Sequence, residues 1–340
     1  MRKFPALGLL AVPALVLAAC SGGGAEAEPG DEDLEQVRLV VANPSAVAFY
    51  PIYTAIDQGY FEEEGLEVTV EPLDGSAANL QALAAGQADI GTPGPGPLLG
   101  AREGGEDVVF FYNLTPRNIF SLVVPEDSGV ATPADLKGKT VGIGTADGAE
   151  RALVEGIFTE AGMTAGEDYE FLTVGDGGLA TAGLERGDID AYAASIVDVA
   201  IIGARGAALT DITPDSVAQL FSNGLAAQAS YIEENPETIE AFGRAVAKAT
   251  EWGAENRDEA LEIAAEANPE EGTDPELSAA LFDITVRFGT PFEGNELGYN
   301  PPEAWEAWEA ELIETGDLAG PVEDLEAAYT NDFVDAFNEK

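Results

Sequence analysis

The sequence of 340 residues contains no histidine and a single cysteine, Cys20. Without histidine the chain cannot assemble a Ser-His-Asp triad, a Cys-His pair or a His/Cys zinc site. Carboxylate-based chemistry is what composition leaves open. No catalytic residue, metal or cofactor is expected, and a non-enzymatic role is favoured. One cysteine cannot form an intrachain disulfide, so the hydrophobic core must hold the fold unaided. Basic residues are also scarce, with 15 Lys and Arg against 63 Asp and Glu and a net charge of −48. That balance argues against nucleic acid as a partner. The acidic residues are spread along the whole chain, a halophilic-like pattern. Their mutual repulsion destabilises the compact state until salt screens it. After the N-terminal segment no apolar run is long enough to span a bilayer.

What is present begins at that N-terminus. Arg2 and Lys3 precede "FPALGLLAVPALVLAA", an apolar stretch ending in small residues. It is short and followed by a polar, Gly-rich tail, so residues 1–19 read as a secretory signal peptide rather than a spanning helix. "LAAC" resembles the lipobox of bacterial lipoproteins, in which cleavage leaves the cysteine as a lipid-bearing N-terminus. Cys20 is therefore the expected lipid attachment point; the alternative is an ordinary signal peptide with an incidental cysteine. Residues 20–36 have no apolar period and read as a flexible tether. A coil of about sixteen residues spans roughly 20–25 Å, which would hold a folded body close to a membrane.

The remaining chain repeats itself. "GYFEEEGL" (59–66) and "GIFTEAGM" (156–163) share G-x-F-x-E-x-G-[LM], and "LAAGQAD" (83–89) and "LERGDID" (184–190) share L-x-x-G-x-x-D. Two matches in the same order point to one supersecondary unit used twice. In the first copy, "VRLVVA" (37–42) reads as a buried strand. "YPIYTAIDQGYFEEEG" (50–65) has helical spacing, with Ile52, Ala55, Ile56 and Tyr60 on one side. "LEVTVEPL" (66–73) alternates as a strand, "SAANLQALAAG" (76–86) is a helix capped by Ser76 and Gly86, and "ADIGT" (88–92) is a third strand. The second copy runs strand 140–144, helix 147–161, strand 169–174, helix 177–187 and strand 189–195. The shared glycines and phenylalanines read as helix ends and core.

Each copy is β-α-β-α-β, which implies a parallel sheet clad by helices. The expected fold class is α/β, two-lobed, with a hinge and an interlobe cleft. Lobe 1 takes residues 37–125 plus 226–340 and lobe 2 takes 126–225. "NIFSLVVPEDS" (118–128) crosses out, "GLAAQASYIEENP" (224–236) crosses back, and lobe 1 regains helices at 236–255, 257–267, 275–288 and 302–315. Ligands of open parallel sheets sit beyond the carboxyl ends of the strands, and a gap between two such lobes is a favoured small-molecule site.

"AFYPIYTAIDQGYFEEEGLEVTVEPLDGS", "PADLKGKTVGI", "NPETIEAFGRAVAKA" and "PPEAWEAW…TGDL" together resemble the solute-binding proteins of ABC importers. The branch is the one handling nitrate, sulfonates, taurine and thiamine-precursor pyrimidines, and the likeness covers nearly all of 37–338. It implies a periplasmic-binding-protein-like fold, no catalysis, and capture of a small solute for an ABC permease and its ATPase. With the lipobox it implies an extracytoplasmic carrier, lipid-anchored to the outer face of the cytoplasmic membrane. A monomer is expected. A pyrimidine-forming enzyme on the same fold and a ligand-sensing surface lipoprotein are the alternatives.

The strand-end loops supply the candidate ligand contacts. Phe49 and Tyr50 either stack on a planar ligand or form a core pair at a helix entry. Gly75 lets the backbone approach closely and Ser76 offers a hydroxyl beside free N–H groups, although simple capping accounts for Ser76 too. The resemblance places this helix start at the cleft. Thr92, in "GTPGPGP", contacts ligand or only shapes a turn. Asn113 and Arg117 lie in "YNLTPRN". Arg117 is the one basic residue expected near the cleft, where it pairs an anion or a surface carboxylate. "GIGTADGAE" lacks the G-x-G-x-x-G spacing, and an acidic Asp147 at that helix start would repel a pyrophosphate. Thr145 and Asp147 are therefore read as cap and cleft-facing polar groups. Ser195 and Asp198 complete the set. Amid acidic loops, a flat, neutral or cationic nitrogen heterocycle of pyrimidine type is favoured over sulfonate or nitrate.

Overall fold

The first β-branched run forms strand β1 (Glu35–Val41), which begins inside the stretch expected as tether: the Glu35 N–H donates to the Gly65 carbonyl at 2.9 Å. The computed structural model describes residues 34–144, 149–214, 217 and 220–339. After β1 come α1 (Tyr50–Asp57), α2 (Tyr60–Glu63), β2 (Leu66–Pro72), α3 (Gly75–Ala84), β3 (Ile90–Gly91), α4 (Pro95–Glu103) and β4 (Val108–Asn113). Then follow β5 (Phe120–Pro125), β6 (Thr140–Ile143), α5 (Ala149–Glu160), β7 (Glu170–Thr173), α6 (Gly178–Arg186), β8 (Ala191–Ser195), α7 (Ile196–Ala204) and β9 (Leu209–Asp211). The chain finishes with β10 (Gly224–Gln228), α8 (Ala229–Glu234), α9 (Pro236–Glu255), α10 (Arg257–Ala267), α11 (Pro275–Gly289), α12 (Pro302–Thr315) and α13 (Val334–Phe337). The last four long helices occupy the windows read from periodicity. Proline opens α9, α11 and α12, where its missing N–H is no loss.

Two separate five-stranded sheets result, in the orders β2-β1-β3-β10-β4 and β7-β6-β8-β5-β9. The orders are equivalent: a parallel trio, then an antiparallel strand, then a strand at the far edge. The repeated motifs explain the equivalence chemically. Phe61 and Phe158 are both buried in the cores. Gly65 and Gly162, and again Gly86 and Gly187, take left-handed φ at helix ends. The shared aspartates do the same work in both copies. Asp89 accepts the Arg38 N–H at 2.8 Å and pairs with its guanidinium. Asp190 accepts the Thr140 N–H at 3.0 Å and pairs with Lys139 at 2.9 Å. Each pins the start of the third strand of its trio to the first.

Three expectations are corrected. The helix read over 50–65 is broken at Gly59, whose φ of 71° ends one helix and starts the next. Ile56, in the last turn of α1, is 39% exposed while Ile52 and Ala55 of the same helix are buried. Ser76 is not the cap of α3: Asp74 holds that position and Ser76 is inside the first turn. The crossings are shorter than expected: β5 pairs with β8 and β9, so the chain is in the second sheet by Phe120, and β10 pairs with β3 and β4, so it is back in the first sheet at Gly224 rather than crossing over 224–236.

Both faces of each sheet are covered. In lobe 1, Ile52, Phe61, Phe242 and Val246 pack one face and Leu98, Phe110, Phe221 and Trp305 the other. In lobe 2, Phe158 and Leu136 lie in one core and Ile189 and Ile202 in the second. Trp308 on α12 touches cores of both lobes and donates its indole N–H to the Phe221 carbonyl at 3.0 Å. Helix α11 packs against α7. No helix among the described residues is long and apolar enough to cross a membrane.

Candidate functional site

Strand directions decide where a ligand can sit. Asn113, the end of β4, lies opposite Gly224 at the start of antiparallel β10, on the same side as the carboxyl ends of β1, β2 and β3. Phe120, the start of β5, lies opposite Ser195 at the carboxyl end of β8. Strand β9 also ends at that side. Both crossings therefore run from the carboxyl-end rim of one sheet to the carboxyl-end rim of the other, and the two rims border one gap. The crossings are stitched together midway. The Thr115 N–H donates to the Asn223 carbonyl at 3.0 Å, and the Thr115 carbonyl accepts the Ser222 N–H at 2.8 Å.

On the rim of lobe 1, Gly75, Ser76 and Thr92 are brought together. The Ala42 carbonyl accepts the Gly75 N–H at 2.9 Å, and the Ala42 N–H donates to Thr92 Oγ1 at 2.9 Å. Gly75 sits at φ 84°, and an added Cβ there would meet nothing within 4 Å, so its backbone conformation demands glycine rather than a lack of space. Ser76 Oγ accepts the Gly94 N–H at 3.0 Å, which ties the glycine-proline loop to α3 and leaves the hydroxyl proton free to donate. Thr92 is fully buried. Its N–H, hydroxyl and carbonyl are engaged by Asn79, Ala42 and Asn223, so it braces the rim from behind.

Phe49 and Tyr50 do not face the gap openly. Phe49 is buried in the first core, and Tyr50 is 2% exposed, packed on Phe282 with its hydroxyl donating to the Thr250 carbonyl at 3.2 Å. Both residues also line a small recess with Leu114 and Thr115 of the first crossing. Asn113 is 3% exposed, and neither end of its amide has a hydrogen-bond partner among the described residues. It lines a small recess with Phe292, Gly298 and Tyr299. Arg117 lines a separate cavity of about 280 Å³ with Asn118, Phe120, Ser121, Asp211, Thr213, Arg287 and Phe288. Arg287 belongs to α11, so basic charge near the lobe border comes from two residues, not one.

On the rim of lobe 2, Ser195 and Asp198 form a reciprocal capping box. Asp198 accepts the Ser195 N–H at 3.0 Å and its hydroxyl at 2.7 Å, while Ser195 Oγ accepts the Asp198 N–H at 3.2 Å. Asp198 also accepts the Gly177 N–H at 2.7 Å. Its lone pairs are committed to holding the start of α7. Asp176 sits directly over Gly144, where a Cβ would overlap its carboxylate. The Tyr192 hydroxyl donates to the Gly175 carbonyl at 3.3 Å and lies 3.5 Å from Asp176. Burial raises the Tyr192 pKa, and Asp198, Asp176 and Glu150 raise it further. Leu179 and Val197 stand exposed at the helix starts of this rim, at 64% and 45%. Thr145, Asp147 and Cys20 lie outside the described residues. Among the described residues no group of carboxylates is placed to hold a metal ion.

Residues 46–260 match the family model described as NMT1/THI5 like. The chain belongs to the NMT1/THI5-like family. It is 28% identical to the riboflavin-binding protein RibY of Chloroflexus aurantiacus over 96% of both chains. It is 29% identical to a formylaminopyrimidine-binding protein of Halalkalibacterium halodurans, over 77% of this chain and 78% of that one. It is also 29% identical to the 4-amino-5-hydroxymethyl-2-methylpyrimidine phosphate synthase of Aspergillus parasiticus, over 59% of this chain and 62% of the synthase. Among solved structures, the periplasmic aliphatic sulphonate binding protein SsuA of Escherichia coli superposes with a TM-score of 0.64 at 18% identity, covering 86% of this chain and 91% of that one. That likeness establishes the two-lobed periplasmic-binding-protein fold.

Sequence reasoning missed Arg287, Asp176, Leu179 and Val197. Arg287 reaches the border from a helix far along the chain. The other three carried a local signal: each lies just after a strand of the second repeat copy or at the start of a helix following one.

Proposed function

We propose that this chain is an extracytoplasmic solute-binding lipoprotein of an ABC importer, anchored through lipid on Cys20, which captures a planar nitrogen heterocycle between its lobes. The observation that carries the reading is the rim-to-rim course of both crossings in a member of this family, because it makes one gap the meeting place of every strand-end loop. The chemistry around that gap supports a heterocycle. Asp176 offers a carboxylate to ring amines, Leu179 and Val197 offer apolar faces, and Ser76 keeps a hydroxyl proton to donate. The riboflavin and formylaminopyrimidine ligands named for two relatives are flat nitrogen rings of this kind. Residues 35–113 with 224–339 form one jaw, 120–144 with 149–211 form the other, and closure about the Thr115 stitch traps the guest.

The likeness to a synthase favours a second reading, an enzyme on the same scaffold. The absence of any histidine weighs against it, because the acid-base and nucleophilic chemistry of such a reaction lacks its commonest agent. Calorimetric titration with riboflavin, an aminopyrimidine and an alkanesulfonate tests the proposal. Binding of a ring compound, weakened about tenfold or more by Asp176→Asn, is expected. Binding of the alkanesulfonate alone overturns the choice of cargo, and turnover of a bound pyrimidine overturns the carrier role.

A further inference from the structure

We propose that Arg117 and Arg287 form an oxyanion site at the border of the two lobes, fitted to a sulfate, phosphate or sulfonate group. Charge accounting singles the pair out. Among the described residues, every lysine and arginine except Arg117, Arg205 and Arg287 lies within ion-pair distance of a carboxylate. In a chain with 63 acidic residues, two unpaired arginines lining one cavity stand out. Arg205 lies apart from this cavity, its guanidinium over Gly178 at the start of α6 on the lobe 2 rim.

The cavity wall is suited to an anion. Asn118, Ser121 and Thr213 contribute neutral polar groups. Among the described residues Asp211 is the one carboxylate on the wall, and its Oδ1 accepts the Thr213 N–H at 3.0 Å while pairing with neither guanidinium. The Arg117 guanidinium lies 3.9 Å from the Phe292 ring centroid, a cation–π contact that restrains it. Its Nε is buried without a hydrogen bond. Burial, and then repulsion from Arg287, lower its pKa, so the charge is held at a cost that an oxyanion between the two arginines would remove. A volume of about 280 Å³ accepts a free tetrahedral anion or the anionic head of a larger solute. Arg117 leads into lobe 2 and Arg287 sits on α11, so the bound anion would bridge the lobes. The cavity lies beside the start of β5 and the end of β9, at the crossing edge of the lobe 2 rim.

The test is thermal unfolding of the full chain in chloride, then with chloride replaced at equal ionic strength by sulfate or phosphate, and separately by ethanesulfonate. General salting effects act equally on wild type and variants, so the difference between them is the readout. A wild-type midpoint rising about 3 °C more than that of Arg117→Gln and of Arg287→Gln, with Arg205→Gln behaving as wild type, is expected. An arginine-dependent rise with sulfate or phosphate assigns the site to a free inorganic anion; one with ethanesulfonate alone assigns it to the anionic head of a solute. Equal rises in wild type and both variants overturn the proposal.

Discussion

The backbone N–H of Thr115 donates to the carbonyl of Asn223 at 3.0 Å, joining the outgoing and returning segments between the lobes. Asn223 then reaches back with its side-chain amide to the Thr92 carbonyl at 2.8 Å, so the hinge is fastened to the rim of lobe 1. Thr92 is wholly buried, and its carbonyl would lose that side-chain donor in Asn223→Ala. The substitution should cost about 1–2 kcal/mol, seen as a fall of about 2–6 °C in the thermal midpoint.

Tyr50 is buried and packed on Phe282. Tyr50→Phe removes only the hydroxyl donated to Thr250 and keeps the packing on Phe282. It should lose about 0.5–1.5 kcal/mol of stability in a denaturant titration and leave solute affinity unchanged. A large loss of affinity would return Tyr50 to the site.

Asp198 holds the start of α7 and the Gly177 loop together. Asp198→Ala should destabilise by about 1–3 kcal/mol, and Asp198→Asn by less, because the amide oxygen still accepts one of the N–H groups. Chemical unfolding of the two variants beside wild type checks the order.

Glu311 supplies a pH dependence. Burial raises its pKa, and Glu314 on the same helix and Glu160 of lobe 2 raise it further. The folded state therefore holds this proton more tightly than the unfolded chain. The resulting stabilisation is complete below the ordinary carboxylate pKa and is lost as pH rises through the elevated one. At neutral pH the ionised group is a burden, so Glu311→Gln should raise the midpoint by about 1–2 °C there, with the advantage vanishing in acid. Melting curves of both proteins from pH 4 to 8 decide it.

The net charge of −48 predicts that stability climbs with salt as repulsion is screened. A thermal midpoint unchanged from low to molar salt would contradict this.

Much of the fold was legible because repetition and period carry it. The paired G-x-F-x-E-x-G and L-x-x-G-x-x-D motifs marked equivalent units, and the aspartates proved to be the pins of equivalent strands. The site was less legible. Ser76, Ser195 and Asp198 stand at strand ends as expected, yet serine and aspartate there serve the backbone first, and sequence cannot separate capping from binding. Ile56 misled because, although its spacing matches Ile52 and Ala55, it stands in the last turn of α1, where it is exposed. Arg287 could not be found locally, since only the packing of α11 against α7 brings it to the border.

Closure on a ring-shaped guest is most directly tested by distance measurement between spin labels at Glu71 on β2 and Leu172 on β7, with Cys20 replaced by serine. Both positions are at least partly exposed and lie near the carboxyl ends of edge strands remote from the crossings, where a hinge motion is largest. Saturating riboflavin or an aminopyrimidine should shift the distance distribution to shorter values and narrow it. An unaltered distribution with the ring compound demonstrably bound would contradict the account.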